Sequence, residues 1–159
     1  MKKTKYLKKI LLICFVAMFV FLNTVVFVSA EGSNNTDSKF SFTLPGTSFY
    51  SVLNSGRAKL NWTGSYISSD SVNPSEGALF SIHGYNSPTV PAGSQAVNCT
   101  KGTSARIWPG QNRRIRQYVY ERGYTYAFIG ASAITTAGVG KSLTGMWSPD
   151  SVGSDPYCN

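Results

Sequence analysis

Histidine and acidic residues are scarce in this 159-residue chain. It has one histidine, His83, and seven Asp and Glu residues against fifteen Lys and Arg residues. A single histidine cannot form a multi-histidine metal site, and no spacing singles out a carboxylate pair for glycoside hydrolysis. The acidic residues also lack the ligand pattern of an EF-hand loop. We therefore expect no catalytic residues, no metal site and no cofactor.

The chain has no internal repeat and only one long apolar run, at its N-terminus. Five lysines in the first nine residues precede an apolar stretch, 10–22, and the small residues Ser29 and Ala30 follow it. This order predicts a helical signal peptide over residues 1–30, cleaved after Ala30. An uncleaved anchor over residues 10–30 is the alternative, because that stretch is long enough to span a bilayer.

Cleavage would define a secreted, extracellular protein with no stable membrane span. It removes five lysines and no acid, which lowers the formal charge from +8 to +3. A net charge of +3 does not by itself indicate nucleic-acid binding. Residues 31–38 are polar and without periodicity, which predicts a flexible leader. Residues 39–159 are then long enough for a single domain with a modest core.

Two cysteines, Cys99 and Cys158, remain after the predicted cleavage. An even number of cysteines in an exported protein favours a disulfide, so these two are predicted to pair. The alternative is two unpaired thiols, because many exported Gram-positive proteins avoid disulfides. Cys99 could also form a nucleophile–base couple with His83, but only if it is unpaired.

Strand patterns dominate the predicted domain. Short segments rich in apolar or alternating residues are separated by clusters of glycine, proline, asparagine and serine, and no window shows a helical stripe. About seven such strands predict an all-β fold, an antiparallel β-sandwich or a small barrel. The segments are 40–44, 58–63, 78–82, 95–100, 113–120, 124–132 and 142–147.

The clearest local prediction is a hairpin formed by residues 113–120 and 124–131. Gly123 can adopt the positive φ that a three-residue hairpin loop requires. Pairing across that loop places Tyr118 opposite Tyr126, and Tyr120 opposite Tyr124. One face of the hairpin is then aliphatic, and the other carries tyrosine and arginine.

The tyrosine–arginine face is the predicted binding site. Arginine holds phosphate or carboxylate groups through paired hydrogen bonds and stacks on flat rings. Residues 101–122 carry a formal charge of +5. Cell-wall polymers, glycans and anionic membrane surfaces are the expected partners, and nucleic acid is not expected. The alternative is structural, because cross-strand tyrosine pairs stabilise a sheet by about 0.2–1 kcal/mol each. The site comprises Arg114, Arg116, Tyr118, Tyr120, Tyr124 and Tyr126.

Two short motifs lie near the ends of the predicted domain, Phe40-Ser41-Phe42-Thr43 and the strand 142–147. With the signal peptide and the aromatic central strands, they make the chain resemble a group of small exported proteins of Bacillus-type and Clostridium-type bacteria with no assigned function. The resemblance implies secretion and a β-sandwich-like domain. It supplies no active-site residues.

These features favour a non-enzymatic extracellular binding or interaction module. A bacteriocin-like or toxin-like effector that acts on competitor membranes is the alternative. A small secreted hydrolase is the third possibility, and it would need a cleft that gathers His83 or two carboxylates.

Overall fold

A computed structural model describes residues 32–70 and 74–159 of the chain. The predicted signal helix and its cleavage site after Ala30 lie outside the described residues. Those that are described belong to one compact unit built from β-strands, and none of its helices is long and apolar enough to cross a membrane.

The all-β prediction is confirmed. Ten strands lie within the described residues, together with a single 3₁₀ turn at Thr136–Gly138. The strands are β1 (Ser38–Thr43), β2 (Ser51–Val52), β3 (Arg57–Ala58), β4 (Ser65–Ser69), β5 (Ala78–Tyr85), β6 (Val97–Asn98), β7 (Ala105–Ile107), β8 (Asn112–Ile115), β9 (Tyr126–Ser132) and β10 (Ser142–Ser148).

The strands form two antiparallel sheets. The first sheet has the order β1-β10-β4-β8. The second has the order β2-β9-β5-β6, and in it β3 also pairs with β9 and β7 with β5. The longest ladder joins β5 to β9, with Ile82 opposite Ile129. Residues on β5 and β9 are buried almost throughout, as expected for central strands.

One apolar core lies between the two sheets. β1 alternates, so that Phe40 and Phe42 point inward while their neighbours are exposed. The Phe40 ring meets Phe80 of β5 edge-on at 5.7 Å between ring centroids, which links the first sheet to the second. Such aromatic contacts add about 0.5–1.5 kcal/mol beyond the burial of apolar area.

In the first half of the domain one predicted strand is wrong, and strand β4 was not predicted. Residues 58–63 were expected to be a strand, but only Ala58 belongs to one. Strand β4 falls between the predicted strands, and its Ser65 and Ser69 are both buried. β4 is a central strand, paired with β10 and β8, and serine is small enough to be buried there. The Ser65 hydroxyl donates a hydrogen bond to the Pro149 carbonyl at 2.9 Å.

The predicted hairpin is wrong. β8 pairs with β4 in the first sheet, and β9 pairs with β5, β2 and β3 in the second. Residues 116–125 therefore cross from one sheet to the other. Gly123 does adopt a positive φ of 77°, but it closes a turn in that crossing, where its N–H donates to the Tyr120 carbonyl.

The predicted disulfide is also wrong in this structure, where Cys99 and Cys158 are free thiols. The Cys158 N–H donates to the carbonyl of Arg114, whereas the Cys99 carbonyl accepts the N–H of Tyr118. Four residues of extended chain span about 13 Å. The two cysteines thus lie beside opposite ends of the segment 114–118. A disulfide requires Cα atoms within about 7 Å, which is less than the length of that segment.

The polar leader is attached to the domain at Asn34. Its N–H donates to the Asp150 carboxylate at 2.7 Å, and its side-chain amide donates to the Ala58 carbonyl at 2.9 Å. Arg57 in turn donates to the Asn34 side-chain oxygen at 3.0 Å. These bonds hold Asn34 against the domain.

Candidate functional site

Four of the six predicted site residues share one outward-facing stripe. Arg114 lies on β8, Arg116 and Tyr118 lie on the segment that follows it, and Tyr120 lies in the turn at 119–123. From 114 to 120, alternate side chains point to solvent and to the core. The inward members, including Ile115 and Val119, are fully buried. Tyr118 is 38% exposed and Tyr120 is 37% exposed. The stripe comprises Arg114, Arg116, Tyr118 and Tyr120.

The two arginines of the stripe enclose the ring of Tyr157. Each guanidinium carbon, of Arg114 and of Arg116, lies 4.4 Å from the ring centroid. Arg114 also donates to the Asp155 carbonyl at 2.5 Å, and Arg116 donates to the Asn159 carbonyl. The arginines therefore hold residues 155–159 against the open edge of β8, where Arg114 and Tyr157 form a parallel bridge.

Lys101 and Arg122 extend the positive surface beside the stripe. The Lys101 N–H donates to the Arg116 carbonyl at 2.9 Å, and Arg122 lies over the Tyr118 ring at 5.9 Å. Both cations are exposed. We call this the basic–aromatic surface, which consists of Lys101, Arg114, Arg116, Tyr118, Tyr120, Arg122 and Tyr157.

Tyr124 and Tyr126 lie outside this surface. Tyr126 begins β9 and pairs with Tyr85, in the second sheet. The Tyr124 ring lies so close to Gly84 that a Cβ at Gly84 would be 2.5 Å from it. The ring is half-buried and packs against the core. The structure thus divides the predicted six-residue site into a stripe of four, a tyrosine of the second sheet, Tyr126, and a tyrosine of the crossing segment, Tyr124.

A separate cleft of about 520 Å³ opens beside His83. Segments 48–54 and 90–96 form its walls, and its lining has no charged side chain. Phe49 stands at the cleft with 73% of its surface exposed, and Tyr50 meets the His83 ring edge-on at 6.1 Å. Aromatic rings beside amides and hydroxyls suit an uncharged ligand.

His83 is a buried strand histidine with both ring nitrogens bonded. Its Nδ1 lies 3.3 Å from the Ala96 carbonyl oxygen, so Nδ1 is the donor there, and its Nε2 accepts from the Ser81 hydroxyl at 2.7 Å. Burial lowers the pKa of His83, and the bond to Ala96 partly opposes that shift. Gly130 leaves room for the pair, since a Cβ there would lie 2.8 Å from the Ser81 oxygen. Ser81 is fully buried, so the pair does not present an accessible nucleophile.

A buried polar network, which sequence reasoning missed, surrounds Lys59 and Asp150. Both side chains are 0% exposed, and Nζ lies 2.5 Å from Asp150 Oδ1. Nζ also donates to the Thr63 carbonyl at 2.6 Å. The Thr63 carbonyl also accepts the Gln117 side-chain amide at 2.9 Å.

The network inverts the hydrophobic pattern of its segment. Alternation in residues 58–63 predicts an inward Leu60 and Trp62, but these are 40% and 67% exposed. Lys59 and Asn61 point inward instead, with 3% and 7% exposure. The charged partner that draws Lys59 inward, Asp150, lies 91 residues away, so no local sequence signal reveals the inversion.

Fold and surfaces together define the class: a small antiparallel β-sandwich with a basic–aromatic surface and an uncharged cleft. A family model described as "Protein of unknown function (DUF2712)" matches residues 25–151, most of the chain. The chain therefore belongs to the DUF2712 family. Comparison with curated proteins and with solved structures finds no match.

Proposed function

We propose that this protein is an extracellular, non-enzymatic binding module that contacts an anionic polymer or surface through the basic–aromatic surface. The observation that carries the proposal is the outward alternation of Arg114, Arg116 and Tyr118 beside Lys101 and Arg122. Guanidinium and ammonium groups hold phosphate or carboxylate, and an adjacent exposed tyrosine offers a ring for stacking.

The cations of this surface differ in whether they also hold residues 155–159 in place. Arg114 and Arg116 hold Tyr157 and residues 155–159, so their removal would also loosen that segment. Lys101 and Arg122 are exposed and lie outside the contacts that hold Tyr157, although Arg122 donates to the Asn98 carbonyl at 3.0 Å. They are therefore the better positions at which to test binding while residues 155–159 stay attached to β8.

The test compares two double variants of equal charge. Lys101→Gln with Arg122→Gln removes two cations from the surface. Exposed charge contacts contribute about 0.5–1 kcal/mol each, so binding should weaken by about five- to thirty-fold. Retention is measured on phosphatidylglycerol-containing vesicles and on bacterial wall fragments that carry anionic polymer, each against its uncharged counterpart.

Lys39→Gln with Lys141→Gln is the matched control. Lys39 lies on β1, at the opposite edge of the first sheet from β8, and Lys141 immediately precedes β10; both are exposed. The control should retain binding, because its charges are remote from the stripe. Equal weakening by both double variants would reduce the effect to net charge and contradict a localised site.

The uncharged cleft beside His83 supports a second candidate, the binding of a neutral glycan segment. Phe49 and Tyr50 supply the rings, and Gln95 and Asn54 supply amides for hydroxyl groups. Soluble N-acetylglucosamine oligomers should shift the His83 ring resonances, and Phe49→Ser should reduce the shift. No shift at millimolar oligomer would remove this candidate.

A further inference from the structure

The side chains of Lys59 and Asp150 bring an amine and a carboxyl group, the two groups from which an amide forms, into direct contact. The two residues follow β3 and β10, in different sheets. Their side chains meet in full burial with Nζ 2.5 Å from Oδ1. Holding two groups in contact converts their reaction into an intramolecular step with a high effective concentration.

The two oxygens of Asp150 have different surroundings. Oδ1 faces Lys59, whereas Oδ2 accepts the backbone N–H groups of Asn34 at 2.7 Å and of Leu60 at 3.3 Å. Two N–H groups on one carboxyl oxygen are the arrangement that stabilises negative charge on that oxygen during attack at an acyl carbon. The Thr63 carbonyl orients Nζ from its other side.

We propose that Lys59 and Asp150 form an intramolecular amide bond. Nζ attacks Cγ of Asp150, a new Nζ–Cγ bond forms and the Cγ–Oδ1 bond breaks. Two of the three Nζ protons pass to Oδ1, which leaves as water. Oδ2 becomes the amide oxygen and keeps its two backbone donors, and the remaining N–H continues to donate to Thr63. Both protons of the leaving water start on Nζ, so no other acid, oxidant or cofactor is required.

Burial favours this reaction. Two opposite charges removed from water carry a large desolvation penalty, and a neutral amide abolishes both charges. Burial also lowers the pKa of Lys59, which its bond to Asp150 and the charges of Asp150 and Glu121 oppose. A lower pKa favours the neutral amine that acts as the nucleophile.

The inverted segment is consistent with a covalent link. Leu60 and Trp62 remain at the surface while Lys59 points inward, an arrangement that gives up apolar burial. An amide at Lys59 would fix this register permanently. It would also close the chain between residues 59 and 150 into a loop that persists after denaturation, in a domain whose cysteines Cys99 and Cys158 are unpaired.

The intact mass of the purified full chain, measured under denaturing conditions, tests the proposal. The terminal peptides of the same sample establish which N-terminus the protein carries. We expect a mass lower by one water molecule than the sequence requires, and a digest peptide that joins the Lys59 segment to the Asp150 segment. A full mass, with separate peptides bearing a free Lys59 and a free Asp150, would overturn the proposal.

Dehydration of an aspartate to a cyclic imide also removes one water, and lysine variants separate the two reactions. Lys59→Arg cannot form the amide, so it should have its full mass, whereas Lys141→Arg, at an exposed lysine, should still lose water. Water loss that persists in Lys59→Arg would overturn the proposal. The joined peptide of the wild-type chain provides an independent reading if Lys59→Arg fails to fold.

Asp150→Asn supplies a chemical signature. Attack of Nζ on an asparagine side chain releases ammonia in place of water and yields the same amide. The variant should therefore lose one ammonia and give the same joined peptide as the wild type. A joined peptide from the wild type that contains a different carboxylate would overturn the assignment to Asp150.

Discussion

Tyr157 fastens residues 155–159 to β8, so its replacement by leucine should loosen that segment while the two sheets stay intact. Leucine keeps an apolar side chain but has no aromatic face for the guanidinium groups of Arg114 and Arg116, both 4.4 Å from the ring centroid. A cation over an aromatic ring at an exposed site contributes about 0.5–1 kcal/mol. The loss of two such contacts should cost about 1–2 kcal/mol.

That cost should appear as local opening. The Arg114 N–H donates to the Pro156 carbonyl at 3.0 Å, and the Cys158 N–H donates to the Arg114 carbonyl at 3.1 Å. Both bonds break when the segment detaches from β8. Amide hydrogen exchange measures this opening, and a loss of about 1–2 kcal/mol accelerates it about five- to thirty-fold at these two positions.

Amides of the ladder between β5 and β9 serve as the internal control, because this ladder lies in the other sheet. They should exchange at the wild-type rate in Tyr157→Leu. Unchanged exchange at Arg114 and Cys158 would refute the role of the ring. Equal acceleration at every amide would show global destabilisation instead, and would refute the local opening.

Two further predictions concern the core and the cleft. Burial lowers the pKa of His83 in the folded protein, whereas in the unfolded chain the histidine has its ordinary pKa of about 6.5. Between these two pKa values the unfolded chain binds more protons, so the free energy of unfolding falls as the pH falls from about 6.5 to the folded-state pKa. His83→Gln should flatten this part of the urea-unfolding pH profile, and parallel profiles would contradict the assignment. A Cβ on Gly145 would lie 2.1 Å from the Ser68 carbonyl oxygen, so Gly145→Ala should cost about 1–3 kcal/mol. Gly46→Ala, where the nearest atom is Phe49 at 3.5 Å, should cost less, and equal losses in urea unfolding would argue against the crowding.

Local alternation predicted the sides of the segment from Arg114 to Tyr120 correctly. Ile115 and Val119 point inward, and Arg114, Arg116 and Tyr118 point outward. The partner of this segment was predicted wrongly, because a glycine turn does not decide whether the chain folds back or crosses to another sheet. β8 pairs with β4, which lies 43 residues or more earlier in the sequence.

The alternating pattern also gave a wrong prediction at residues 58–63, because the charge of the distant Asp150 was not taken into account. Leu60 and Trp62 have the sequence pattern of inward residues, but the Asp150 carboxylate lies on the inner side and draws Lys59 toward it. An unpaired buried carboxylate would cost several kcal/mol. That cost offsets the apolar burial that Leu60 and Trp62 give up when Lys59 turns inward. The sequence shows Lys59 and Asp150 as two ordinary surface residues 91 positions apart.

The amino-acid sequence by itself determined the all-β character of the domain, the positive φ at Gly123 and the outward positions of Arg114, Arg116, Tyr118 and Tyr120. These properties follow from side-chain periodicity and from the conformational freedom of glycine, which act over a few residues. Only the tertiary structure decided that the hairpin is absent, that Tyr126 belongs to the second sheet while Tyr124 packs against the core, and that Cys99 and Cys158 remain unpaired. It also decided that Lys59 meets Asp150. Each of these depends on which distant segments become neighbours, and packing of the two sheets around a shared core selects those neighbours.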